Sequence, residues 1–131
     1  MPTFAVETNV NTQLFQRRFA KDISLWLHKQ GTTINHVITK YHYLESSQVF
    51  SGHYSFDKFP CRAGAKLNFA FVTCYISQER PADFYEEVMA VIVKAMQPEI
   101  SPEYIFVNFK PVDPAKYFNG NTIKLTKAEV S

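Results

Sequence analysis

Pro2 follows the initiator methionine and heads a strand-like run, Thr3-Phe4-Ala5-Val6-Glu7-Thr8. If Met1 is removed, the proline nitrogen becomes a secondary amine able to take up a proton, and the ring locks φ so that this atom points in a fixed direction. An exposed α-amino group titrates near pH ~8, and burial among apolar groups lowers that value toward neutrality. A base matched to the working pH is what proton abstraction next to a carbonyl calls for. The alternative is that a proline at position two simply begins a strand. Other reactive side chains offer less. Cys61 and Cys74 stand thirteen residues apart without a CxxC pattern, so neither a redox motif nor a zinc site is indicated. His36 and His42 share one face of an expected strand, but six residues separate them, too far to chelate one ion, and no Asp/Glu pairing accompanies them. No metal and no cofactor are expected.

The elements that must position Pro2 are legible in the hydrophobic pattern. Thr3–Thr8 alternates as a short strand. Asn11 or Thr12 can cap a helix whose apolar positions Phe15, Phe19, Ile23, Trp26 and Leu27 follow helical spacing, and Gly31 ends it. Val37–Leu44 is β-branched and aromatic, which predicts a second strand. Residues 45–66 carry Ser, Gly52, Pro60 and Gly64 and predict a loop or irregular hairpin. Leu67–Ile76 (LNFAFVTCYI) is the strongest strand signal and reads as buried on both faces. Pro81 suits the first turn of a second helix with Phe84, Val88, Val91, Ile92 and Ala95 inward, and Pro98 ends it. Tyr104–Phe109 predicts a fourth long strand, and Asn119-Gly120 a turn between the short segments Lys116–Phe118 and Thr122–Leu125.

The order is β-α-β followed by β-α-β, with Phe4-Ala5-Val6 echoed by Phe69-Ala70-Phe71. A duplicated unit, residues 1–56 and 67–125, fits this order, each unit pairing its strands in parallel through a right-handed crossover. Ferredoxin-like domains share the element order. At 131 residues the chain is expected to form a single domain, 1–131, of α/β (α+β) class. Twelve Phe and seven Tyr against four Gly place much ring surface in a core or a subunit interface. A net charge of +2 with scattered basic residues argues against nucleic acid and membrane partners. The first twenty residues include Glu7, Arg17 and Arg18 and lack a continuous apolar stretch, so no signal peptide or membrane span is expected and a cytoplasmic location is.

Three stretches carry a resemblance to a known family. MPTFAVETNV resembles the amino-terminal strand of tautomerase-superfamily members. VITKYHYLESSQVFSG (Val37–Gly52) is similar to the second strand and following loop of 5-carboxymethyl-2-hydroxymuconate isomerase, and ISPEYIFVNF (Ile100–Phe109) to the last long strand of the macrophage migration inhibitory factor group. KYFNGNTIKL is similar to the closing turn and strand of several subgroups. The resemblance implies a four-stranded mixed sheet of two tandem β-α-β units with two helices on one face, assembly into a homotrimer, and isomerisation by an amino-terminal proline. It also implies pockets between subunits. Departures from the pattern are specific: Thr32 follows Gly31 where the inhibitory-factor group has lysine, Phe106 stands where it has tyrosine, Ile38 replaces a basic residue of the muconate isomerase, and Asp57–Lys66 looks inserted.

An enol or keto carboxylate needs a proton-shuttling base and positive charge or hydrogen-bond donors for its carboxylate and developing enolate. Lys40 is the first candidate cation; on a strand it shares a face with Ile38 and His42, although an exposed strand lysine fits it as well. Arg62, in FPCRAGAK, is the second, its fork-shaped guanidinium suited to a carboxylate, though a solvated loop arginine is the simpler role. Phe106 and Asn108, two apart on one strand face, supply an apolar wall and an amide donor. The expectation is a cofactor-free tautomerase acting on a small carboxylate of the 2-hydroxymuconate or phenylpyruvate type, with Pro2 as base. Two rivals stand beside it: a non-catalytic trimeric binding protein on the same scaffold, and a monomeric ferredoxin-like ligand-sensing module.

Overall fold

A computed structural model describes residues 2–58 and 67–116. Its first unit runs β1 (Thr3–Thr8), α1 (Gln13–Lys29) and β2 (Ile38–Tyr43). A small hairpin follows, β3 (Phe50–Ser51) with β4 (Tyr54–Ser55), and then the second unit, β5 (Ala70–Ser77), α2 (Ala82–Met96) and β6 (Ile105–Val112). The main sheet has the order β2-β1-β5-β6. Each unit pairs its own strands in parallel, β1 with β2 and β5 with β6, and the units meet antiparallel at β1 and β5. The expected four-stranded mixed sheet of two β-α-β units is therefore present, and β1, which carries Pro2 at its head, is one of the two central strands.

Alternation along the strands separates two faces. Phe4 and Val6 of β1 and Val72 and Cys74 of β5 enter one core with Phe15, Phe19, Ile23 and Leu27 of α1 and Phe84, Val88, Ile92 and Met96 of α2. Each large apolar side chain fully withdrawn from water there contributes about 1.5–3 kcal/mol. Ring contacts seat the helices: Phe19 meets Phe4 and Tyr41 edge-on, and Tyr85 of α2 meets Phe109 of β6. Both helices thus cover the same face. The opposite face carries three rows read across the strands: Ile38–Thr3–Tyr75–Lys110, Lys40–Ala5–Thr73–Asn108, and His42–Glu7–Phe71–Phe106. A second cluster, Phe56, Leu67 and Phe69 with Phe71 and Tyr104 against it, packs at one end of the sheet.

Helix ends follow local chemistry. The Thr12 hydroxyl accepts from the Phe15 amide, capping α1. At the other end Gly31 adopts φ +99°, its amide donates to the His28 carbonyl, and the Thr32 amide reaches back to the Leu27 carbonyl. This is the Schellman arrangement, whose left-handed position favours glycine. Gly52, at φ +63°, opens the two-residue turn between β3 and β4.

Three expectations are corrected. The strand read as Leu67–Ile76 begins at Ala70, and it is not buried on both faces: its residues alternate buried and half-buried, because the helices cover only one side. Leu67 and Phe69 are instead buried in the segment leading into it. His36 lies in a 3-10 turn, Ile34–His36, ahead of β2, so it shares no strand face with His42. Pro81 is the N-cap of α2 rather than a residue of its first turn. Lys116 closes a 3-10 turn, Pro114–Lys116, and the rest of the expected closing hairpin lies outside the described residues.

Candidate functional site

Pro2 is buried, and its carbonyl accepts a 2.9 Å hydrogen bond from the Ile38 amide. That bond extends the β1–β2 ladder by one step and fixes the proline at the sheet end where β1 and β2 begin. Extending the β1–β5 register by one residue sets Pro2 opposite Ile76, near the end of β5. Pro2 shares the parity of Phe4, whose ring enters the helix-covered core. Met1 lies outside the described residues.

Within one chain the other expected site residues do not gather around Pro2. Lys40 is exposed and pairs with Ala5, three residues along from Pro2, or ~10 Å, on the helix-free face. Asn108 is also exposed and lies in the same row as Lys40, two strands away from β1. Phe106 lies one row further, roughly 16 Å along the strands and ~10 Å across them from Pro2. Its ring stacks on Phe71 at 4.9 Å and 15° and keeps 41% of its surface exposed, so an apolar wall exists, but away from the proline of its own chain. Arg62 lies outside the described residues.

A further cation, Arg80, stands at the end of the sheet where Pro2 lies. Arg80 sits in the connection from β5 to α2, and its Nη2 donates 3.0 Å to the hydroxyl of Thr32, a residue only 2% exposed. The guanidinium lies over the Phe84 ring, 4.6 Å from its centroid, and Phe84 in turn packs on Trp26. Desolvation lowers the Arg80 pKa from its ordinary value. The Thr32 carbonyl is 3.2 Å from His28 Nδ1, so the end of α1 and the start of α2 are linked through one polar contact chain. Arg80 and Thr32 are 48 residues apart in sequence. The only hint in the sequence is a basic residue directly before the helix-starting Pro81.

The remaining polar groups are structural. Asn9 is buried, donates to the Leu67 carbonyl and accepts from the Phe69 amide, pinning the segment before β5 onto the end of β1. The Tyr41 hydroxyl donates 2.7 Å to the Gln16 carbonyl, and burial pushes its pKa up to about 12, opposed in part by a hydrogen bond from Thr39. Cys74, fully buried in the core, is likewise pushed up to about 12 by burial, the state of an unreactive thiol. A cavity of about 170 Å³ lies at the far end of β1 among Thr8, Gln16, Tyr41 and His42, and a groove of about 330 Å³ runs between the helices over Trp26 and Val91. Neither touches Pro2. Among the described residues, no helix is long and apolar enough to cross a membrane.

Two tandem β-α-β units on one mixed sheet, with a proline heading a central strand, define the tautomerase fold, and comparison with solved structures bears this out. No family model matches the chain, and no curated protein matches its sequence. Against a fused 4-OT symmetric trimer the TM-score is 0.73 at 10% identity, covering 93% of this chain and 97% of that one. For macrophage migration inhibitory factor of Toxoplasma gondii it is 0.68 at 14% identity, covering 92% and 97%. For FG41 malonate semialdehyde decarboxylase inhibited by 3-bromopropiolate it is 0.68 at 10% identity, covering 90% and 88%. The likeness is one of architecture.

Proposed function

We propose that this protein is a cofactor-free tautomerase that uses the Pro2 nitrogen as its base on a small enol or keto carboxylate, of the 2-hydroxymuconate or phenylpyruvate type. The observation that carries this reading is the placement of Pro2: buried, at the head of a central strand, in a fold whose solved examples include 4-OT. Burial favours the neutral amine, which keeps the nitrogen a base near neutral pH. With an enol as substrate, the amine takes the hydroxyl proton as the C=O bond forms, and the resulting ammonium returns a proton to the neighbouring carbon. The net change is one proton moved from oxygen to carbon, with the nitrogen restored.

We also propose a homotrimer. The separation of Pro2 from Phe106 and Asn108 within one chain supports it, because a neighbouring protomer can bring such a wall and amide to a proline that its own chain leaves without them. One solved relative of the fold is itself a symmetric trimer.

Replacing Pro2 by Ala tests the mechanism. A positioned base contributes about 10²–10⁴-fold, so turnover of enol-phenylpyruvate should fall by at least about 10² while the circular dichroism spectrum stays native. Native turnover in this variant would refute the role of Pro2. The second reading, a non-catalytic binding protein, is favoured by one observation: Phe106 offers a ring without a hydroxyl where a donor is expected. That reading predicts no enol turnover by protein whose amino terminus has been verified as Pro2.

A further inference from the structure

We infer that the groove between the two helices binds a medium-chain aliphatic carboxylate, its chain along Leu25, Trp26 and Val91 and its carboxylate on Lys29. This site stands apart from Pro2, which the groove does not touch.

Spacing along α1 lays out the floor. Asp22, Leu25, Trp26 and Lys29 fall at helical steps of three and four and so share one face, while Val91 and Lys94 of α2 line the other side. Trp26 packs against the core, but its neighbour Leu25 keeps 41% of its surface exposed, so apolar area stays open in the groove. The volume of about 330 Å³ falls within the roughly 300–1,000 Å³ of small-molecule sites, which are mostly apolar with a few charged groups that fix orientation. From Asp22 to Lys29 the helix rises ~10 Å, close to the length of an extended chain of about eight carbons.

Charge sets the occupant and its direction. Two ammonium groups accompany a single carboxylate in the lining, and among the described residues neither Lys29 nor Lys94 forms an ion pair. The groove therefore carries an excess of positive charge and favours an anion. The helices run antiparallel: Arg18 reaches the Ala95 carbonyl and Trp26 packs on Phe84, so advancing along α1 means retreating along α2. Lys94 thus stands toward the Asp22 end, where that carboxylate offsets it and repels a second anion. Lys29 stands at the opposite end, one turn beyond Leu25 and Trp26, with no carboxylate of the lining beside it. A chain laid over Leu25, Trp26 and Val91 brings its head group to Lys29, whose long stem keeps the ammonium in water while lying along the apolar floor.

Trp26 is the single tryptophan of the chain, so its emission reports occupancy of the groove directly. The wild type is titrated with octanoate and with octanol, a neutral chain of equal length. Lys29→Gln, Lys94→Gln, Leu25→Glu and Pro2→Ala are compared, each checked for native circular dichroism. Octanoate should give a saturable shift and bind more tightly than octanol. Lys29→Gln should lower octanoate affinity about 3- to 5-fold, the size of an exposed charge pair, and leave octanol affinity unchanged. Lys94→Gln should cost less, and a greater loss there than in Lys29→Gln overturns the placement of the head group. Leu25→Glu should weaken both ligands, because it sets a charge on the apolar floor. Pro2→Ala should bind octanoate as the wild type does; a loss there would place the ligand at the proline and overturn the inference. The absence of a saturable shift, equal wild-type affinity for the two ligands, or an unchanged octanoate-to-octanol ratio in Lys29→Gln would overturn it too. So would emission that follows protein concentration instead of octanoate, which assigns the groove to a second copy of the chain.

Discussion

Tyr41 illustrates what a single buried hydroxyl does in this chain. It caps no site, yet its bond to the Gln16 carbonyl ties β2 to α1, and burial raises its pKa to about 12 from an ordinary 10. A phenol whose folded value exceeds its unfolded value adds stability that is complete below about pH 10 and is lost as pH rises through about 12. Cys74 acts in the same direction from 9 to about 12. Urea titrations between pH 8 and 11.5 should show stability declining above about pH 9. Tyr41→Phe should lose about 1 kcal/mol at neutral pH and show a shallower alkaline decline, the Cys74 share remaining. An unchanged alkaline slope would contradict this assignment. At this scale the sequence offers Pro2 as a candidate base and gives no sign of the contact between Arg80 and Thr32. A proline after the initiator is a local signal, whereas the Arg80–Thr32 contact spans 48 residues and exists only once both units have folded.

Elements were the most legible level, since their signals are periodic and local. Phe15, Phe19, Ile23 and Leu27 are all buried on α1, and Phe84, Val88, Ile92 and Ala95 on α2, as their spacing predicts. A cap at Asn11 or Thr12 and the terminating Gly31 were equally readable, and the structure selects Thr12. The strand at Ala70–Ser77 misled because an unbroken apolar run looks the same whether helices cover both faces or only one. The Schellman turn that Gly31 permits also fixes the backbone of Thr32. Gly31→Ala forces a side chain into a left-handed position and should cost about 1–2 kcal/mol in a denaturant melt. An unchanged denaturation midpoint would contradict the left-handed conformation of Gly31.

The whole molecule has one sheet face under two helices and another whose described residues include exposed apolar side chains. Ile38 and Phe106 on that face are 40% and 41% exposed, at the two outer strands of the sheet. The proposed assembly through this face would bring Phe106 and Asn108, which stand far from the proline of their own chain, to a neighbour's proline. Light scattering should give a mass about three times the 15.1 kDa of the chain, and Phe106→Glu should shift it toward the single-chain value. A wild-type mass near that of one chain would return the ferredoxin-like monomer to first place. Stoichiometry was beyond the reach of the sequence, because exposed and interfacial apolar residues obey the same period in a strand.

The central claim concerns one nitrogen atom, and its ionisation can be followed directly. Protein with Met1 removed, verified by intact mass and labelled with ¹⁵N-proline, allows the Pro2 resonance to be titrated from pH 5 to 10. The account predicts a single titration below the ordinary α-amino value of about 8, as burial requires of a working base. A Pro2 nitrogen that titrates at or above that value, or does not titrate in the range, would contradict it.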